Sequence, residues 1–136
     1  MQIGCAVIFH NNSLLLLKKA KGSYINFYEF PGGKREEFDT SIQECIKREV
    51  LEEINCKSSV GELIYFLKVD KKEFNTPDDL HVYFHNVSLL SNDIKLSNEH
   101  SHYIWTSLDN AENLDMLKSD YQILKYLKNY YMEKYF

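Results

Sequence analysis

The sequence predicts a single α/β domain in which a mixed β-sheet lies between helices. Three observations carry this prediction. Strand-like runs lie on both sides of a segment with helical spacing, residues 40–55, and a second helical pattern closes the chain. The chain is 44% hydrophobic, enough to bury one core. Its 136 residues fit one compact unit, so we predict one domain spanning 1–136.

The strands are predicted from short runs that are apolar, β-branched or aromatic. Three polar residues separate the first two runs, which favours a hairpin. The third run, predicted to be extended, ends at Pro31-Gly32-Gly33, and the polar stretch 70–79 is the loop between the fourth and fifth. The six runs are 3–9, 13–19, 24–30, 60–69, 81–90 and 101–106.

Two helices are predicted. The central one begins at a capping box, either Ser41 with Glu44 or Thr40 with Gln43, and the sequence leaves both open. Asn55 is suited to the left-handed position that ends a helix. The closing helix starts near Ser119, where apolar residues recur every three to four positions, at Tyr121, Leu124, Leu127 and Tyr131.

Composition excludes several classes of function. The net charge of −4 disfavours broad nucleic-acid binding, which needs a basic face. No apolar run approaches the roughly 18 residues of a membrane span, so no membrane partner is expected. The N-terminus lacks a secretory layout. Three cysteines without a CxxC pair favour reduced thiols and a cytoplasmic location.

The central helix carries an unusual set of carboxylates. At about 100° per residue, Glu49, Glu52 and Glu53 share one face of the helix. A solvated acidic face should oppose the apolar stripe, as Lys47 and Glu44 do. Glu49 and Glu53 instead lie within the arc formed by the apolar residues Cys45, Ile46 and Val50.

Carboxylates in that position require a cation. Two of them about 5 Å apart repel by roughly 3 kcal/mol at an effective dielectric near 20. Arg48 cannot neutralise all three glutamates. Hard divalent cations prefer carboxylate oxygens, and the sequence has no His/Cys cluster of the kind that zinc needs. We therefore predict an inward-facing Mg²⁺ or Mn²⁺ site, with a purely structural acidic helix as the alternative.

The segments around this helix resemble a known family. Phe30-Pro31-Gly32-Gly33-Lys34, followed by Arg48-Glu49-Val50-Leu51-Glu52-Glu53-Ile54-Asn55-Cys56, is similar to the Nudix box, G-x5-E-x7-R-E-U-x-E-E-x-G-U with U aliphatic. The resemblance implies a Nudix-type α/β/α sandwich and a Mg²⁺-dependent pyrophosphohydrolase acting on phosphorus anhydrides, with Mn²⁺ as the alternative cofactor. Asn55 and Cys56 depart from the last two positions of the box.

The loop before the helix departs further. Between Gly33 and Arg48 the chain has one residue more than the family pattern. Counting back from Arg48 places Thr40 where the first glutamate of the box belongs, and counting forward from Gly33 places Asp39 there. Residues that can take over its role are Asp39, Glu36 and Glu37, and the sequence does not decide among them.

The resemblance also implies roles for individual residues. Glu49, Glu52 and Glu53 would hold the metal together with Gly33, beside which Gly32 lets the backbone bend. Arg48 would orient the carboxylates and the loop. Glu99, on a loop before the strand that contains Trp105, is the candidate general base.

Substrate contacts are expected next to the box. Lys34 and Arg35 are candidates for phosphate contacts. Phe27 and Tyr28, with Tyr24, are candidates for stacking on a nucleobase, and core packing is an equal alternative for these rings. His100 and His102 are predicted to be surface residues rather than ligands.

The leading functional hypothesis is hydrolysis of a nucleoside triphosphate to a monophosphate and pyrophosphate, with a small-molecule nucleotide as the partner. One alternative is another nucleoside diphosphate derivative, such as a nucleotide sugar or a dinucleoside polyphosphate. A second is a Nudix-derived nucleotide-binding module with little catalysis, suggested by the altered loop. A homodimer is left open.

Overall fold

The computed structural model describes residues 1–135, which form seven strands and three helices. The strands are β1 (Gln2–His10), β2 (Ser13–Lys19), β3 (Tyr28–Glu29), β4 (Gly32–Lys34), β5 (Ser58–Val69), β6 (Leu80–Leu89) and β7 (His100–Thr106). The helices are α1 (Ile42–Ile54), α2 (Leu108–Ala111) and α3 (Lys118–Tyr135).

The strands form one mixed sheet, as predicted. The order is β3-β2-β1-β6-β5, with β4 paired to β1 and β7 paired to β2. Strands β1 and β6 run parallel, and the other pairs are antiparallel. The hairpin is confirmed, because β1 and β2 pair through Phe9 and Leu14 across a turn at Asn11 and Asn12, both with positive φ.

Alternating side chains of the central strands separate two cores. Ala6 and Ile8 of β1 belong to the cluster that contains Ile46, Val50 and Ile54 of α1. The intervening Val7 belongs to the cluster that contains Ile123, Leu124 and Leu127 of α3. Because successive side chains of a strand point to opposite faces, α1 and α3 cover opposite faces of the sheet. The predicted sandwich is confirmed.

Helix α1 is capped at both ends. Ser41 Oγ accepts from the backbone N–H of Glu44 at 3.1 Å, which decides between the two capping boxes in favour of Ser41. Asn55 adopts the left-handed conformation with φ 58°, and its N–H bonds to the carbonyl of Leu51. These hydrogen bonds therefore define where the carboxylate helix begins and ends.

The extended segment predicted for 24–30 is wrong in its first half. Residues 23–26 form a turn in which Tyr24 and Asn26 have positive φ, and the N–H of Asn26 returns to the carbonyl of Lys19. Only Tyr28–Glu29 pairs as a strand. Aromatic content favoured a strand, but local hydrogen bonds closed a turn instead.

The C-terminal part adds one unpredicted element. The four-residue α2 is capped by Ser107, whose Oγ accepts from the N–H of Asn110. In α3, Leu124 and Leu127 are buried as predicted, and Tyr131 packs on Phe9 with 4.4 Å between ring centroids. Over residues 1–135, none of the helices is both long and apolar enough for a membrane span.

Candidate metal and active site

Glu53 is the most deeply buried carboxylate of α1. It is 3% exposed, and its Oε1 accepts from the backbone N–H of Gly32 at 2.7 Å. Burial raises the pKa of Glu53 to about 9, helped by the charges of Glu29, Glu49 and Glu99 and opposed by the Gly32 hydrogen bond. The carboxylate is thus held in a place that disfavours its charge.

Glu49 lies against the glycine turn. A Cβ on Gly33 would stand 2.5 Å from the carboxyl carbon of Glu49, so no larger residue leaves this carboxylate in place. A Cβ on Gly32 would clash with the backbone of Gly4. Burial raises the pKa of Glu49 although Arg48 lowers it. A side chain at position 32 would therefore clash with β1, and one at position 33 would displace the Glu49 carboxylate.

Arg48 binds Asp39 through two parallel hydrogen bonds. Nε donates to Oδ1 and Nη2 to Oδ2, each at 2.9 Å. The Arg48 guanidinium holds the pKa of the nearly buried Asp39 at about 2, aided by the N–H of Glu36. Of the three acids that the sequence left open, Asp39 is the one that binds Arg48, whereas the side chains of Glu36 and Glu37 are exposed. The longer loop still reaches Arg48, although with a shorter acid.

The same guanidinium also serves the helix. Nη1 donates to Glu49 Oε1 at 2.9 Å and lies 3.2 Å from Glu52 Oε2, while Nη2 donates to the carbonyl of Lys34. The Glu52 side chain is 58% exposed, so it stands at the rim of the site. Arg48 orients the carboxylates and the loop but supplies a single positive charge to several acids.

His100 is not a surface residue, so that prediction is wrong. It is 5% exposed, and its Nε2 lies 2.7 Å from Glu29 Oε2. Strand β2 explains the meeting, since it pairs with β3 through Leu17 and Glu29 and with β7 through Lys19 and His100. His102, two positions along β7, is exposed as expected.

Glu29 and Asp120 are acids that sequence reasoning missed. Glu29 was detectable as the one charged residue in the aromatic run 24–30. Asp120, in the first turn of α3, is 9% exposed, and burial together with the Glu29 charge raises its pKa to about 7. Nothing in the local sequence distinguishes Asp120 from an ordinary acid in the first turn of a helix.

Glu99 is exposed at the edge of this cluster. Its carbonyl accepts from the N–H of Ala20, which fixes the start of β7 beside the end of β2. Its charge contributes to the raised pKa of both Glu49 and Glu53. The structure thus brings Glu99 within electrostatic range of the helix carboxylates.

The residues expected to contact substrate are placed differently from one another. Lys34 is exposed and adjacent to Arg48 through its carbonyl. Arg35 donates to Gln2 Oε1 at 2.8 Å and to the carbonyl of Asp39, so its guanidinium joins the loop to β1.

Of the aromatic residues, Tyr28 packs against the main core. Phe27 is half-buried and lies 5.4 Å from the ring of Tyr24, centroid to centroid. Their roles toward substrate stay predictions.

An open cleft lies beside the end of β2. Its volume is about 690 Å³, within the range of small-ligand sites. Lys19, whose backbone pairs with His100, forms one part of its wall. The lining residues are Lys19, Ser23, Tyr24, Lys72, Glu73, Phe74, Asn75, Leu80 and Leu117.

The donor set fits a hard divalent cation. Glu49, Glu52, Glu53 and Glu99 offer carboxylate oxygens, and Gly33 leaves the space that Glu49 needs. Burial is the main cause of the raised pKa values of Glu49 and Glu53, and the charges of neighbouring carboxylates add to it. Mg²⁺ and Mn²⁺ take such oxygen ligands.

Comparisons with known proteins identify the family and the fold of this chain. A family model described as NUDIX domain matches residues 2–127. The solution structure of the E. coli ORF135 protein is 21% identical, covers 94% of this chain and 88% of that one, and has a TM-score of 0.78. The MutT protein from Methanosarcina mazei Go1 is 22% identical, with coverage of 100% and 96% and a TM-score of 0.79.

The NUDIX domain of Shewanella oneidensis NrtR, solved with ADP ribose, is 14% identical, with coverage of 95% and 86% and a TM-score of 0.78. A search among curated proteins found no match. At sequence identities this low, the similarity to solved structures shows only the fold, and the family model identifies the family. The chain belongs to the NUDIX domain family of hydrolases, which act on phosphorus anhydrides of nucleoside diphosphate derivatives.

Proposed function

We propose that the protein hydrolyses nucleoside triphosphates to a monophosphate and pyrophosphate in a Mg²⁺-dependent reaction. The observation that carries this proposal is the pair Glu49 and Glu53, buried against Gly32 and Gly33 with too little positive charge beside them. A cation bound there would stabilise the ionised form of both carboxylates, and it would attract phosphate.

The residues divide the work of hydrolysis. Glu49, Glu52 and Glu53 would hold Mg²⁺, and Arg48, fixed by Asp39, keeps the first two oriented. When bound, Mg²⁺ neutralises phosphate charge and lowers the pKa of the attacking water. The water oxygen forms a bond to phosphorus as the bridging P–O bond breaks and pyrophosphate leaves. Glu99 would take the proton from the water.

The nucleoside half of the substrate would lie in the open cleft. Lys19 and Lys72 supply positive charge for phosphates, and Tyr24 and Phe74 offer aromatic surface for a base. The two rings are 6.3 Å apart and approach edge to face. Lys34, exposed beside Arg48, would contact the phosphates from the loop before α1.

Hydrolysis of another nucleoside diphosphate derivative is the second candidate. The cleft volume of about 690 Å³ would leave room for a sugar or a second nucleoside beyond the diphosphate. The Asp39–Arg48 contact weakens the reading as a binding module, since that reading was motivated by the missing glutamate.

A substrate panel tests the proposal. The protein is incubated with Mg²⁺ and ribonucleoside and deoxyribonucleoside triphosphates, ADP-ribose, a UDP-sugar and a dinucleoside polyphosphate, and products are identified by ³¹P NMR. Monophosphate plus pyrophosphate from a triphosphate is expected. Turnover confined to the other substrates favours the second candidate, and metal-dependent binding without turnover favours the binding module.

A second test compares a variant of the site with a control variant on the same helix. Glu53→Gln should abolish most of the turnover, whereas Glu44→Gln, an exposed carboxylate paired only with Lys47 at 3.7 Å among the ion pairs of residues 1–135, should not. Equal activity of the two variants would sink the assignment of the site.

A further inference from the structure

The imidazole of His100 lies between two carboxylates, one at each ring nitrogen. Nε2 is 2.7 Å from Glu29 Oε2, and Nδ1 is 3.5 Å from Glu53 Oε2. The side chains of His100 and Glu53 are only 2% and 4% exposed, and that of Glu29 is 34% exposed. Among the described residues Nδ1 has no partner of hydrogen-bonding geometry, and Glu53 Oε2 lies 3.5 Å from it.

We infer that His100 is a positioning residue for the carboxylate of Glu53. Glu29 fixes the ring through Nε2, and the ring in turn faces Oε2 of Glu53 with Nδ1. The other oxygen, Oε1, is already bonded to the Gly32 N–H at 2.7 Å. The Glu53 carboxylate is therefore hydrogen-bonded by the glycine turn at one oxygen and approached to 3.5 Å by His100 of β7 at the other. This inference rests on the proposed metal-binding role of Glu53.

Glu53 needs such a contact because its α1 neighbours supply none. Arg48 spends its hydrogen bonds on Asp39, Glu49, Glu52 and the Lys34 carbonyl. A buried carboxylate with one fixed oxygen can still rotate its second oxygen away from a cation. Groups that orient a metal-ligating side chain typically contribute 10–100-fold to metal affinity or activity.

Direct metal ligation by His100 is the competing explanation. Glu29, Glu53 and His100 each offer one ligand atom, and these atoms lie within 4.8 Å of one another. However, an imidazole gives a single ion one nitrogen, and here the two carboxylates lie at different nitrogens. This arrangement favours a chain of side-chain contacts over an ion shared by all three.

Substitution of His100 by asparagine or by glutamine tests the contacts of its two ring nitrogens separately. The amide of Asn reaches about as far as Nδ1, and that of Gln about as far as Nε2. The dissociation constant and the number of bound Mn²⁺ ions are measured by EPR for wild type, His100→Ala, His100→Asn and His100→Gln. The Ala and Gln variants should bind Mn²⁺ roughly 10–100-fold more weakly, the Asn variant should retain more affinity, and the number of ions should not change.

His102→Asn is the matched control, because it makes the same change on the same strand at an exposed position. Glu29→Ala tests the chain from its far end, should a His100 variant not fold, and should weaken Mn²⁺ binding by a smaller factor. Unfolding midpoints without metal report structural damage separately.

Wild-type Mn²⁺ affinity in His100→Ala and Glu29→Ala would overturn the inference while leaving the metal site intact. Loss of one bound ion in His100→Ala would overturn it in favour of direct ligation. Failure of the wild-type protein to bind Mn²⁺ would overturn the proposed function as well.

Discussion

At the scale of single residues, the site is defined by opposed demands on charge. Asp39 is held ionised by Arg48, whereas burial favours the neutral form of Glu53. Only 14 positions separate these acids along the chain, so their different behaviour comes from their surroundings rather than from residue type. The behaviour of each acid leads to a prediction about its substitution.

Glu53→Gln should separate catalysis from folding. Glutamine keeps the acceptor for the Gly32 N–H and removes a charge that burial disfavours. Turnover should fall roughly 100-fold or more, beyond the usual effect of a supporting residue, while the unfolding midpoint without metal should be unchanged or higher. Steady-state kinetics and thermal unfolding measure the two effects. A variant with normal turnover would mean that Glu53 is no metal ligand.

Asp39→Asn should destabilise the protein in a pH-dependent way. The folded-state pKa of about 2 lies below the ordinary 3.8, so ionised Asp39 stabilises the fold above pH 4. That contribution should be lost as the pH falls from about 4 to about 2. Chemical unfolding of both proteins across this range measures it. The difference in unfolding free energy between wild type and Glu37→Gln, a change at an exposed position of the same loop, should not depend on pH. An equal pH dependence for both variants would contradict the assignment.

At the scale of elements, the caps of α1 define where the helix begins and ends, and contacts with β4 position its inner face. Sequence patterns predicted this helix and the carboxylates on its inner face, because helical period and capping are local properties. The identity of the N-cap was not decided by sequence, since Thr40 and Ser41 head equally good capping boxes. In the structure Ser41 is the N-cap.

Ser41→Ala should cost about 1 kcal/mol of unfolding free energy, the usual contribution of an N-cap side chain. Thr40→Ala is the matched control and should change it by less than about 0.5 kcal/mol, as expected of an exposed residue outside the cap. Denaturant titrations measure both. A larger loss from Thr40→Ala would place the cap one residue earlier.

At the scale of the whole molecule, the site joins four segments of the chain. Glu29 and the start of β7 meet because β2 is the neighbour of both β3 and β7, while the glycine turn is held beside them by the pairing of β4 with β1. Helix α1 joins them through Glu53, which accepts from the Gly32 N–H. The sequence predicted the sheet, both major helices and the box carboxylates. It could not predict that Glu29, His100 and Asp120 come together, since their proximity depends on strand register and on the docking of α3.

Divalent cations should stabilise the folded protein. A cation that binds only the folded state adds about 2.7 kcal/mol when its concentration is 100 times the dissociation constant. The unfolding midpoint should rise with Mg²⁺ or Mn²⁺ and return when EDTA is added. Glu49→Gln and Glu53→Gln should each reduce the rise, whereas Glu44→Gln should leave it intact. A rise that is identical in all variants would locate the cation elsewhere.

The pairing of β3 and β7 across β2 also determines when the site forms as the chain folds. Glu29 and His100 are 71 positions apart in sequence, and contacts of such separation form slowly because a long loop must close first. We therefore expect a refolding chain to gain its full affinity for a cation only after the last strand has docked.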